Sequence, residues 1–202
     1  MSDTRIGAPP FAITVCGIEE LDAHGAIGVS HVLSILDPDH PVPAAFGAFG
    51  EHEKRELRFH DIVEETPGRV LPQPEDVEAI LALGQSLQSE SAETRHLLVH
   101  CHAGISRSTA AMVLILAQAL PERSAEDVIR MVHGIREKAW PNLRLMEMGD
   151  AMLGRGGTLL AATHALHRLQ MERRPRIVAL METDGRGREI ALARRYAPLA
   201  EG

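Results

Sequence analysis

Aromatic side chains are scarce in this chain of 202 residues: four Phe, one Trp and one Tyr. A core must therefore be built mainly from Ala, Leu, Val, Ile and Met. Cysteine is scarcer still, at two, Cys16 and Cys101, and one possible pair makes no disulfide framework. Positive charge is not in excess. Twenty-one Lys and Arg stand against 28 Asp and Glu, a formal net charge of −7, so a nucleic-acid partner is disfavoured. Long apolar runs are missing too. The longest, Ala110 to Leu120, is too short to cross a bilayer and carries Gln118. The opening MSDTRIGAPPF has no apolar run of signal-peptide length. No membrane span is expected, and the natural compartment is the reducing cytoplasm, where a reactive thiol survives.

What remains is ordinary for a globular chain, with 45% apolar and 24% charged residues. The length suits one domain, or one domain with an extension. Charge is uneven: between Arg168 and Arg195 there are eight Arg and four acids. Such a run is expected to be a solvated, Arg-rich surface.

Patterning predicts a strand at Phe11 to Cys16, closed by Gly17, then a helical turn at Ile18 to His24 and a second strand at Val29 to Leu36, stopped by Asp37-Pro38. Pro41 to Glu53 reads as a loop, Glu56 to Ile62 as a third strand, and Val63 to Pro74 as a second loop. Pro74-Glu75-Asp76 opens a helix, with Pro in the first turn and acids beside the positive end of the dipole. HLLVH (His96 to His100) is a short buried strand. Ser108 to Leu120 is a helix, apolar almost all round and hence central, ended by Pro121. Ser124 caps the next helix, with Asp127 at the capping-box position, and it runs to about Lys138. Further helices follow at Pro141 to Leu153 and Thr158 to Glu172. Ile177 to Met181 and Glu189 to Ala193 flank an Asp184-Gly185 turn and read as a β-hairpin. The order argues an α/β fold: a central, mainly parallel sheet flanked by helices, a helical C-terminal half, and a C-terminal helix and hairpin extension.

The informative stretch is HLLVHCHAGISRSTAA, His96 to Ala111. A buried strand ends at His100, a loop runs from Cys101 to Arg107, and a helix follows. A strand-to-helix loop aims backbone N–H groups at one point, and the helix dipole favours an anion there. Gly104 supplies backbone freedom. Arg107, six residues after Cys101, can fold back and hold two oxygens bidentately. A thiol so placed is expected to ionise well below its usual pKa of about 8.5. An anion cradle, a clamp and a nucleophile within seven residues are the parts needed for phosphoryl transfer through a phosphocysteine.

The segment resembles the Cys-x5-Arg loop of the cysteine-based protein tyrosine phosphatase superfamily, in its His-Cys-x-x-Gly-x-x-Arg-Ser/Thr form. AGISRS is similar to the dual-specificity-like branch, of bacterial type. Two further features fit in chain order. LRFHDI (Leu57 to Ile62) resembles the strand and Asp that bring the general acid, and Asp61 lies 40 residues before Cys101. Pro141-Asn142 resembles the Pro-Asn segment that packs under the phosphate loop. The acid segment lacks the Trp-Pro-Asp pattern of many tyrosine phosphatases, and Leu143 to Leu145 stand where a Phe usually follows Pro-Asn-Gly. The resemblance covers about residues 10 to 155. A phosphatase domain over 1–155 is therefore expected, with 156–202 an extension packed on or following it.

The resemblance implies roles. Cys101 attacks phosphorus. The N–H groups of residues 102 to 107 (His102, Ala103, Gly104, Ile105, Ser106, Arg107) and the Arg107 guanidinium hold the phosphoryl oxygens. Ser108 donates to the cysteine sulfur, or simply caps the helix. His100 lies beneath the loop, and Asn142 positions it or is only a turn residue. His102 points outward and touches substrate or stands by. Asp61 serves as general acid and then base, with Asp37, Asp39, Glu64, Glu65 and Asp76 as competing carboxylates. Neither metal nor cofactor is implied. His100 and His102 are too close in sequence for a shared site, and His164 and His167 share a helix face without nearby acids or cysteines in sequence, a face expected to be solvated.

The implied activity is hydrolysis of phosphomonoesters in a phosphorylated protein, phosphotyrosine first and phosphoserine or phosphothreonine also, by a monomer or homodimer. Members of this superfamily that act on phosphoinositides or inositol phosphates often carry basic residues at the variable loop positions. His102, Ala103, Ile105 and Ser106 include no Lys or Arg, which disfavours such a substrate, while the basic C-terminal stretch keeps it as an alternative. A non-catalytic phosphoresidue-binding module is the alternative of a different class, and sulfur or arsenate chemistry is a third.

Overall fold

The computed structural model describes residues 9–89 and 95–200; residues 1–8, part of the opening stretch read above, lie outside the described residues. Four strands form one sheet in the order β1-β4-β2-β3, with β1 Ala12–Cys16, β2 His31–Leu36, β3 Glu53–Arg58 and β4 His96–His100. All three pairings are parallel. Cys16 and Ser34 both stand opposite His100, and Leu36 opposite Arg58. The four strands therefore end along one edge, which is where open parallel sheets carry their sites. Gly17, Asp37, Phe59 and Cys101 are the first residues beyond those ends.

Seven α-helices are described: α1 (Pro74–Ser89), α2 (Arg107–Ala119), α3 (Ala125–Ile135), α4 (Leu143–Met152), α5 (Thr158–Arg173), α6 (Arg176–Thr183) and α7 (Gly187–Ala193). Short 3-10 turns stand at Ile18–His24 and Ala44–Ala48. The expected α/β class, parallel sheet and helical C-terminal half are all present. The helix apolar on every side is the central one: α2 is buried from Arg107 to Ala117 and packs on β4, α1, α3 and α4. α4 approaches α2 closely because Gly149 has no side chain; a Cβ there would lie 2.2 Å from Leu114 Cδ2. On the other sheet face Cys16, Leu21, Val29, Val32 and Leu98 form a smaller cluster against Phe46 and Phe49. β4 is thus covered on both faces, which explains its unbroken apolar run. Ser124 caps α3 by accepting from the Asp127 N–H at 3.1 Å.

Several expectations need correction. The third strand is Glu53–Arg58, not 56–62: it starts level with β2, His31 opposite Glu53, so Asp61 falls in the loop beyond it. α3 stops at Ile135, short of Lys138, because Arg136 leaves the helix (φ −133, ψ 92). The C-terminal hairpin is a helix pair, α6 and α7. Ile177 and Met181 lie one turn apart and face Trp140, Ile190 and Ala193, a contact that a helix satisfies. Gly185, with φ +74, ends α6 in the left-handed conformation, and the Arg186 N–H returns to Met181 O at 2.8 Å. The Asp-Gly signal marks a helix C-terminus here. His164 and His167 are buried rather than solvated, at 5% and 0% exposure, and the His167 ring stacks on Trp140 at 4.1 Å. The Arg-rich run is only partly solvated surface, since Arg186 is 3% exposed.

Candidate active site

β4 delivers the chain to Cys101, and residues 101–106 wrap into a loop before α2 begins at Arg107. Five of the loop's carbonyls, those of 102 to 106, are engaged by groups beyond the loop. His102 O accepts from Ile18 N at 2.9 Å, and Ala103 O and Gly104 O from Arg136 Nη2 and Nε, both at 3.0 Å. Ile105 O accepts from Trp140 N at 2.8 Å, and Ser106 O from Ala110 N at 2.9 Å. With the carbonyls turned out, the N–H groups turn in. Among the described residues, those of 102 to 107 donate to no protein acceptor. They make a concave nest at the positive end of α2, the arrangement that favours an anion.

Gly104 makes the wrap possible. Its φ is +67, and a Cβ would lie 2.3 Å from Cys16 C and 2.6 Å from Gly17 N. Gly17 yields from the other side, since its own Cβ would stand 2.9 Å from His102 O. The end of β1 thus lies directly against the loop.

Cys101 is 2% exposed, with its Sγ 3.2 Å from Ser108 Oγ. His100 lies beneath, fully buried, its Nε2 2.8 Å from Ser34 Oγ and its ring 5.4 Å from Phe46. Burial holds its pKa down to about 4, so it is neutral at pH 7. The Arg107 guanidinium is anchored by one nitrogen: Nη1 donates to Phe59 O and to Asp37 Oδ1, each at 2.6 Å. Its Nε is buried without a hydrogen-bond partner among the described residues. The edge opposite the anchor is therefore the edge that can meet an oxyanion bidentately.

Asp61 sits on the far side. Its Oδ1 accepts from Ser106 Oγ at 2.7 Å and Asn142 Nδ2 at 2.8 Å, and Arg186 Nη1 lies at 3.2 Å. Burial alone would raise its pKa. The charges of Arg186 and Arg107 and the two hydrogen bonds outweigh that and hold it below the usual carboxylate range. Asn142 also donates to Ile62 O at 3.3 Å and caps α4 by accepting from Leu145 N at 3.2 Å. His102 lies at the mouth. Its Nε2 accepts from the Asp37 N–H at 3.2 Å, and its ring is 4.5 Å from His40. Burial and the Arg107 charge lower its pKa. Beside the loop opens a cavity of ≈ 550 Å³, lined by Gly17, Ile18, Glu19, His40, Ile105 and Lys138 among others.

Cys101, Ser106, Arg107, Ser108, Asp61 and Asn142 are thus brought together from three segments, with His100 below, Ala103 and Gly104 in the turn, and His102 and Ile105 at the rim. Five further residues complete the site. Gly17, which in sequence signals only the end of a strand, gives the loop room. Arg136 clamps the loop from the end of α3. Trp140, Glu189 and Arg186 back it from the C-terminal side. Asp37, noted as a competing acid, is instead the partner of Arg107.

The sequence model of the protein-tyrosine phosphatase family matches residues 67–143, a stretch that contains the whole loop. No curated protein matches the chain. Among solved structures, human DUSP28 aligns with TM-score 0.52 at 15% identity, covering 75% of this chain and 98% of that one. The Yvh1 phosphatase domain from Chaetomium thermophilum gives 0.50 at 20%, covering 74% and 94%. PTPMT1 in complex with PI(5)P gives 0.50 at 17%, covering 75% and 97%. At these identities the likeness is one of fold. The fold is that of the dual-specificity and tyrosine phosphatases, the superfamily that the loop resembles.

Proposed function

We propose that the protein hydrolyses phosphomonoesters of phosphorylated proteins, phosphotyrosine first, through a phosphocysteine at Cys101. The observation that carries this reading is the loop itself: five carbonyls held by groups beyond the loop, the N–H groups of residues 102 to 107 without a protein acceptor among the described residues, and the unpaired Nε of Arg107. The sulfur attacks phosphorus and the S–P bond forms as the P–O bond to the leaving group breaks. Asp61 gives its proton to the departing oxygen, then takes one from the water that cleaves the S–P bond and frees inorganic phosphate. Ser108, 3.2 Å from the sulfur, stabilises it as the leaving group of that second step. Residues 1–155 form the phosphatase unit in this reading, with 156–202 as an extension. The cytoplasm suits its reactive thiol.

A second reading, a phosphoinositide or inositol phosphate, has one observation in its favour: Lys138 and Arg136 line the cavity beside the loop. Arg136, however, is engaged with Glu20 at 2.9 Å and with two loop carbonyls, and Glu19 and Glu20 share the same walls. That lining is better matched to a peptide of mixed charge than to a polyanion.

Hydrolysis of aryl phosphates tests the proposal. Cys101→Ser should abolish turnover while vanadate still binds, because a hydroxyl without a base is a poor nucleophile. Asp61→Asn should lower the rate on phenyl phosphate by about 10²–10³, and much less on para-nitrophenyl phosphate, whose leaving group needs no proton. Turnover by Cys101→Ser near the wild-type rate would sink the nucleophile. The leaving-group pattern appearing in Asp37→Asn instead would move the acid to the other loop. A wild-type protein that binds vanadate but turns over neither ester would be the binding module.

A further inference from the structure

The C-terminal extension reaches the reacting groups through one side chain. Arg186 stands between α6 and α7 at the N-terminal end of α7 and is 3% exposed. Its guanidinium forms a two-point contact with Glu189: Nε to Oε2 and Nη2 to Oε1, both 2.8 Å. The remaining nitrogen, Nη1, lies 3.2 Å from Asp61 Oδ1. Glu189, fully buried, is held in turn by Trp140 Nε1 at 2.8 Å and Leu143 N at 2.9 Å. Trp140 also donates its own N–H to Ile105 O of the phosphate loop. An unbroken set of polar contacts thus runs from Asp61 through Arg186 and Glu189 back to the loop.

We propose that Arg186 is a positioning residue for Asp61, so that the C-terminal extension is part of the catalytic site. This rests on Asp61 being the general acid. A carboxylate beside an incoming phosphoryl group is repelled by it and needs a fixed counter-charge to keep its place. Arg107 cannot supply that alone, because its anchored nitrogen is engaged with Asp37 and Phe59. Arg186 can, since Glu189 fixes two of its nitrogens and leaves the third for Asp61. The enzyme accepts a consequence. A cation at 3.2 Å favours the ionised carboxylate, whereas the first step needs the protonated one, so the working range is drawn to the acid side.

The charged and titratable groups around Asp61 come from every adjoining element. Arg107 on α2 and Arg186 are the cations. Asp37 after β2, Glu189 on α7 and Asp184 at the end of α6 are the anions. His102 in the loop and His167 on α5 are both held below their ordinary pKa, chiefly by burial, and stay neutral near pH 7.

The readout is the alkaline limb of kcat/KM against pH, with phenyl phosphate as substrate, because that limb reports deprotonation of the acid. The test variant is Arg186→Met combined with Glu189→Gln, so that no buried carboxylate is left unpaired. We expect its limb to move up by roughly 1–3 pH units, and Arg186→Lys, which keeps the charge but loses the two-point contact with Glu189, to move it less than the double variant does. A folded double variant with the wild-type limb overturns the proposal, even if its peak rate falls. Asp61→Asn separates the two readings. If it keeps the wild-type limb, Asp61 is not the acid; if it loses the limb while the double variant leaves it unmoved, only the role of Arg186 fails. Should the double variant not fold, the Asp61 carboxyl is titrated by NMR in the intact protein. A pKa at or above about 3.9, the ordinary aspartate value, overturns the proposal, and a lower one supports it.

Discussion

Replacing Gly104 by Ala adds a single carbon where the loop has no room for one. The new Cβ would stand 2.3 Å from Cys16 C, 2.5 Å from Cys16 O and 2.6 Å from Gly17 N. All three are backbone atoms at the end of the paired strand β1 and the residue after it, so none can rotate away as a side chain would. To reach the 3.4 Å of ordinary contact, the loop or the end of β1 must recede by roughly 1 Å. Positive φ adds about 1 kcal/mol of strain for any residue with a Cβ. A displacement of 1 Å at a reacting centre costs about 10²-fold in rate, and the inward N–H groups move with the loop. Gly154→Ala is the control. Its φ of +63 is nearly the same, but nothing lies within 4 Å. Urea unfolding and kcat/KM on an aryl phosphate should therefore diverge. Gly154→Ala should lose about 1 kcal/mol of stability and no activity. Gly104→Ala should lose at least as much stability and about 10²-fold in rate. Equal activity in the two variants would refute the reasoning, because strain without collision would then describe both.

Two further outcomes follow from buried groups. His100 has a folded-state pKa of about 4 against 6.5 for the free side chain, so the unfolded chain takes up the proton first. The stability that His100 contributes is complete above pH 6.5 and is lost as pH falls toward 4, by about 3 kcal/mol; urea unfolding across this range should be flatter for His100→Gln, and identical slopes would exclude the histidine as the cause. Cys16, whose thiol is pushed up to about 12 chiefly by burial, is in register with His100 and packs with Leu98 and Val32 on one sheet face, whereas Cys101 packs with Val99 and Leu97 on the other. Peroxide should therefore oxidise Cys101 without forming a Cys16–Cys101 bridge, and a cross-linked peptide in the mass spectrum would contradict this.

The part of the site that is local in sequence was legible in sequence. A strand, a cysteine, a glycine, an arginine and a helix within sixteen residues declare an anion loop because each residue type has one use there. Strands β1, β2 and β4 are legible for a similar reason, since apolar runs of five or six residues leave few alternatives; β3, with the sequence EKRELR, carries no such run and is misplaced by sequence. The C-terminal region is not legible either. Ile177 to Met181 is too short a run to show its period, and Asp184-Gly185 serves a helix end as well as a hairpin. Arg186 and Glu189 look like surface charges because nothing local shows that Trp140 and Asp61 await them across gaps of more than forty residues. His164 and His167 look solvated in sequence for the same reason: the Trp140 ring that covers His167 lies on another segment.

The burial of α2 on every side has a consequence for motion. A helix enclosed from its first residue to its eleventh can release its amide protons only when the whole domain opens, so it belongs to the most slowly exchanging part of the chain. The anion loop is spliced directly onto that helix and inherits its stillness. Breathing is then expected in the loops, where residues 38–52 and 63–73 lie mostly exposed or half-buried. In the function proposed above, chemistry and choice of substrate would fall on different timescales: a fixed centre, and a surround that can change in shape without disturbing it.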